Sequence, residues 1–81
     1  MYWDVVAVRP LENFCINVEL RDGSHGIFDM KPYLERGIFQ ELRDPAYFSR
    51  VAVELGSVAW PNGQDISPAM LHAHMRATQS A

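Results

Sequence analysis

Asn13 to Met30, NFCINVELRDGSHGIFDM, is the stretch that decides the fold. Phe14, Ile16, Val18 and Leu20 fall on one face of an extended chain, with Cys15, Asn17 and Glu19 on the other. That period of two is what a half-buried antiparallel strand requires. Arg21-Asp22-Gly23-Ser24 follows at once, and Asp-Gly between alternating segments signals a hairpin, because a two-residue type I′ turn places both central residues at positive φ. His25 to Met30 is then expected to pair back, with Phe28 and Met30 on one face and Ile27 and Asp29 on the other.

Working outward, Val5 to Val8 is apolar and rich in β-branched residues, and Pro10 ends it, so a first strand precedes the hairpin. After it, Asp29-Met30-Lys31-Pro32 switches the pattern. Proline suits a first helical turn, and Asp29 or a neighbour can cap it. Tyr33, Leu34 and Gly37 read as one short turn ended by glycine, and Ile38, Phe39 and Leu42 continue at helical spacing. Asp44-Pro45 starts another short helix, with Asp44 as N-cap and Tyr47 and Phe48 as its apolar contacts. Val51 to Leu55 alternates again, Gly56 turns the chain, and Ser57 to Trp60 makes a fifth strand stopped by Pro61-Asn62-Gly63. Ser67 caps and Pro68 opens a last helix over Ala69 to Met75.

Strands and helices therefore come in blocks. The expectation is an α+β fold with a small antiparallel sheet of about five strands, in the order three strands, helical stretch, two strands, helix, and with the helices packed on one face. The expected core is Val6, Val8, Phe14, Ile16, Val18, Leu20, Phe28, Met30, Leu34, Phe39, Leu42, Phe48, Val51, Val53, Val58, Trp60 and Leu71. The 81 residues suit a single domain over 1–81, with 76–81 as a flexible tail. Such a chain buries roughly 60–65% of its unfolded surface, a thin margin that, with unpaired sheet edges, makes a homodimer or a complex with a small protein plausible.

Seven Lys and Arg stand against ten Asp and Glu, for a net charge of −3. The basic residues are scattered and form no stripe, which argues against direct nucleic-acid binding by this domain alone. Cys15 is the only cysteine, so an internal disulfide and a multi-thiolate site are excluded, and a reducing cytoplasm is the expected compartment. No apolar run approaches the roughly 20 residues that span a bilayer, and no signal peptide is expected, since Met1–Trp3 leads straight into strand pattern.

The side chains that could carry chemistry are few. His72 and His74 lie two apart, roughly 200° around a helix, and cannot share a metal there, so no metal or cofactor is expected. Cys15 falls within a strand with no helix N-terminus or glycine turn to activate it, and reads as incidental. Asp22, Asp29, Asp44 and Asp65 sit where turn or cap chemistry accounts for carboxylates, Asp29 and Asp65 less fully than Asp22 in its hairpin turn and Asp44 before its proline, and no catalytic set is expected. Trp60, Asn62 and Asp65 are the one constellation that suits binding: an aromatic anchor beside a rigid Pro-Asn-Gly turn. The competing reading is that Trp60 fills the core and the turn redirects the chain.

Four stretches taken in order, Val5–Leu11 (VVAVRPL), Leu20–Met30 (LRDGSHGIFDM), Ile38–Phe48 (IFQELRDPAYF) and Trp60–Pro68 (WPNGQDISP), resemble a family of small bacterial proteins, the domain-of-unknown-function family 2442. The last string is the most specific. The resemblance implies an α+β fold and a setting beside a second small protein, in an arrangement like a toxin–antitoxin pair. Some members carry a similar domain before a DNA-binding helix-turn-helix; this chain runs only a few residues past its last expected helix, so none is expected here. The resemblance brings no catalytic residues. Two functions follow as expectations: a non-enzymatic protein-interaction or regulatory module, or a small ligand-binding domain or enzyme with a site around Asp29, Trp60 and Asp65.

Overall fold

A computed structural model describes residues 4–77 of the chain. Strand β1 (Val5–Pro10) pairs antiparallel with β2 (Cys15–Leu20), which pairs with β3 (His25–Asp29). Two turns of 3-10 helix, Lys31–Tyr33 and Gly37–Arg43, lead into α1 (Pro45–Phe48). Strands β4 (Ala52–Glu54), β5 (Ser57–Ala59) and β6 (Asp65–Ile66) follow, then α2 (Pro68–His74) and β7 (Arg76–Ala77).

The broad α+β class holds, but the single sheet of about five strands does not. The strands form a four-stranded sheet in the order β1-β2-β3-β7 and a three-stranded sheet β4-β5-β6. The two share one buried cluster, in which Ile16, Val18, Leu20 and Phe28 from the first meet Val58, Trp60 and Ile66 from the second. β1 packs beside β4, and the Val5 N–H donates to the Gly56 carbonyl at 2.8 Å.

β2 follows its pattern: Ile16, Val18 and Leu20 are buried. Phe28 and Met30 are buried on the matching face. β1 departs from expectation. The register with β2 shifts between Val5 and Ala7, so Val5 points inward and Val6 is 45% exposed. A bulge inserts one residue and reverses the faces beyond it. The expected strand over Val51–Leu55 shortens to β4, where Val53 is also exposed rather than core. Arg76 and Ala77, expected in a frayed tail, instead pair with Ile27 and Gly26 on β3; the rest of that tail lies outside the described residues.

The turns also differ from expectation. At Leu20–Ser24, only Gly23 takes positive φ, at 91°; Gly23 N–H donates to Leu20 C=O and Leu20 N–H to Ser24 C=O. This is a three-residue loop with a glycine bulge, not a type I′ turn. The same bonds recur at Trp60–Gln64, where Gly63 N–H donates to Trp60 C=O and Trp60 N–H to Gln64 C=O, with Gly63 at φ 100°. Arg21-Asp22-Gly23 and Pro61-Asn62-Gly63 are thus one device used twice, and the second leads the chain into β6. The two-residue turn with positive φ at both positions is Leu55-Gly56, at 51° and 79°, between the paired residues Glu54 and Ser57. Two of the three helix starts match their reading: Asp44 Oδ1 accepts the Ala46 N–H at 3.0 Å, and the Ser67 hydroxyl accepts the Met70 N–H at 3.2 Å; at the start of Lys31–Tyr33 the N-cap is Met30, with no side-chain cap bond, in place of Asp29.

Candidate functional site

The Trp60–Asp65 segment is held by a buried polar network. Trp60 is 3% exposed, and its indole N–H donates to the Phe48 carbonyl at 2.9 Å. Its ring lies 5.8 Å from that of Phe48, which meets Phe14 edge-on. Gln64, 1% exposed, accepts the Tyr47 hydroxyl on Oε1 at 2.7 Å. Its Nε2 donates to the Ile38 carbonyl at 2.9 Å and to Glu41 Oε1 at 3.0 Å. Asn62 Nδ2 donates to Glu41 Oε2 at 2.7 Å, and Asn62 N–H to the Tyr47 hydroxyl at 2.8 Å. A buried amide with every partner in place fixes geometry, because any other arrangement leaves polar groups unbonded.

Among the expected binding residues, Trp60 is therefore inside, while Asn62 and Asp65 are exposed. Trp60, Asp65 and the turn residues Pro61, Gly63 and Gln64 line a cleft of about 310 Å³ that Glu54, Leu55 and Ser57 help to complete, whereas Asn62 does not line it. Asp29 is not among its lining residues. It ends β3 opposite Cys15, accepts the Lys31 N–H at 2.9 Å and pairs with Lys31 Nζ at 3.1 Å. Partial burial opposes ionisation of Asp29, but the Lys31 N–H and ammonium outweigh it and hold its carboxyl below the usual value.

Sequence reading missed two features. Asn13 and Phe14 both adopt left-handed backbone, at φ 60° and 59°, beside a cleft of about 530 Å³ that Pro10, Leu11, Pro45 and Phe48 help to line. Lys31 Nζ holds this kink by donating to the Asn13 carbonyl at 3.0 Å. Alternation alone placed both residues in β2, since side-chain period carries no information on the sign of φ. The second is a set of exposed apolar side chains: Leu55 is 99% exposed, Ile38 60%, Val6 45% and Val53 38%. Alternation places Leu55 at the end of a strand, and a leucine gives no local sign of the positive φ that makes it a hairpin tip. His72 and His74 both lie on α2, and among the described residues no group of three His, Cys, Asp or Glu is placed to hold a metal ion. No helix among them is long and apolar enough to cross a membrane.

A strand-built scaffold with two glycine-bulge hairpins, one of them the locked Trp-Pro-Asn-Gly turn, and an exposed apolar tip defines this small α+β protein. Residues 5–77 match the family model described as "Protein of unknown function (DUF2442)", and the chain belongs to that family. No curated protein and no solved structure matches it.

Proposed function

We propose that the chain is a non-enzymatic protein-interaction module, a single folded unit that acts in the bacterial cytoplasm as the regulatory, antitoxin-like partner of a small protein. Leu55 carries this reading. Its side chain is 99% exposed at a hairpin tip and its φ is 51°. Left-handed backbone costs a leucine roughly 1–2 kcal/mol, and full exposure returns nothing to the core. Contact with a partner offsets both terms. Ile38 on the second 3-10 turn, Val6 on β1 and Val53 on β4 are exposed as well, and exposed aliphatic side chains on a small acidic domain suit a protein interface.

The test uses Leu55→Asn, because asparagine tolerates left-handed geometry and removes the apolar tip. Partners are captured from the native host on the wild-type chain, and each is purified and rebound to wild type and variant. The variant is expected to keep its fold and lose the partner. Equal binding by both chains overturns the reading.

A further inference from the structure

Register sorts the two faces of the three-stranded sheet. Val58 and Ile66 pair with one another and both turn into the core. Glu54 pairs with Ser57 and Asp65 with Ala59, and paired residues stand on the same side of a sheet, so these four share the outward face. They line the cleft of about 310 Å³. Followed along β5, the cleft runs from the Leu55 tip to Ser57 flanked by Glu54, then to Ala59 flanked by Asp65, then to Pro61. Apolar side chains therefore mark both ends, and a carboxylate stands on each side between them.

Glu54 and Asp65 are both exposed, and their side chains make no hydrogen bond or ion pair among the described residues. Among those residues no Lys, Arg or His lines the cleft. The two acids lie on strands either side of β5, which sets their backbones about 10 Å apart across the sheet. That separation suits two cationic groups rather than one shared ion.

We propose that this cleft docks an extended basic segment of the partner protein, in which two Lys or Arg at alternate positions meet Glu54 and Asp65 and the aliphatic residues beyond them meet Leu55 and Pro61. The proposal rests on the reading of Leu55 as a partner contact and adds the partner's charge pattern. Charge complementarity selects the occupant, because a cleft walled by carboxylates with no counter-charge attracts cations and repels acidic segments. Spacing selects its form. Side chains two apart on an extended chain face the same way and advance about 7 Å, which is the step from Ser57 to Ala59 and from Ala59 to Pro61 on the floor beneath. Leu55 is an independent second ground: its fully exposed side chain on left-handed backbone stands at the end of this same cleft.

The probe is a capped peptide, Leu-Ser-Lys-Ser-Lys-Ser-Leu, whose side chains come in the same order from either end. Its binding to the full chain is titrated calorimetrically at low salt. The wild type is expected to bind it, more weakly as salt rises. The double variant Glu54→Gln/Asp65→Asn should weaken binding at least about tenfold, while the charge-matched control Glu12→Gln/Glu35→Gln, at exposed positions outside the cleft, stays within about twofold of wild type. Circular dichroism checks that each variant is folded. Should the cleft double variant unfold, Glu54→Gln and Asp65→Asn are read singly, each with a partial loss. Absence of binding by the wild type overturns the proposal, as does an equal loss in the two double variants, which reduces the effect to net charge. Spermidine that binds as tightly as the peptide and depends on the same two carboxylates makes the cleft a polyamine site and overturns the peptide assignment. No captured protein enters this assay, so the charge pattern can fail while Leu55→Asn still loses the captured partner, and the reverse.

Discussion

The Tyr47 hydroxyl stands 2.7 Å from Gln64 Oε1 and donates to it, while the same oxygen accepts the Asn62 N–H at 2.8 Å. One phenol thus joins α1 to the turn that precedes β6. Tyr47→Phe keeps the ring and removes both bonds, stranding an acceptor on a side chain that is 1% exposed. The expected loss is about 1–3 kcal/mol, read as a lower melting temperature with unchanged secondary structure. A melting temperature equal to wild type would show that water satisfies these groups.

Two turn positions should respond in opposite directions. Gly23 has φ 91°, and a Cβ added there would meet nothing within 4 Å, so Gly23→Val loses stability through backbone conformation alone, by at least about 1 kcal/mol. Leu55→Asn should gain up to about 1 kcal/mol, because its φ of 51° suits asparagine and no buried contact is lost. Chemical denaturation of both variants checks the pair of signs, and a destabilised Leu55→Asn would contradict the turn geometry.

Asp29 and Asp22 should make the fold acid-sensitive. Lys31 holds the Asp29 carboxyl down against partial burial, and the side-chain and backbone bonds from Ser24 hold Asp22 down. A depressed folded value means that the stabilisation is present above the ordinary value of 3.8 and is lost as pH falls through the lower folded value. Asp29→Asn should therefore flatten the fall in melting temperature below about pH 4. An unchanged acid limb would remove Asp29 as a contributor.

Ser67 caps α2 through the Met70 N–H. Ser67→Ala should cost about 1 kcal/mol. Because β7 follows α2 directly and pairs with β3, amide exchange at Gly26 and Ile27 should quicken along with that of the helix. Protection unchanged at β3 would show that β7 holds independently of the cap.

Much of the fold was legible because its causes are local. The alternation of Ile16, Val18 and Leu20, the caps Asp44 and Ser67, and the prolines that follow them each act within a few residues. The candidate site was legible only in outline. Pro61-Asn62-Gly63 announces a turn, but nothing in the string says that Gln64 would be buried or that Tyr47, 17 residues earlier, would be its partner.

The sequence by itself determined the pairing of β2 with β3 and the starts of α1 and α2, since periodicity and capping are properties of neighbouring residues. Tertiary structure alone decided that the strands divide into two sheets, that Val5 rather than Val6 faces the core, and that Arg76 and Ala77 return to β3. A bulge and a sheet edge depend on which strand arrives alongside. Val5 and Val6 have the same side chain, so only the register with Leu20 and Glu19 could tell them apart.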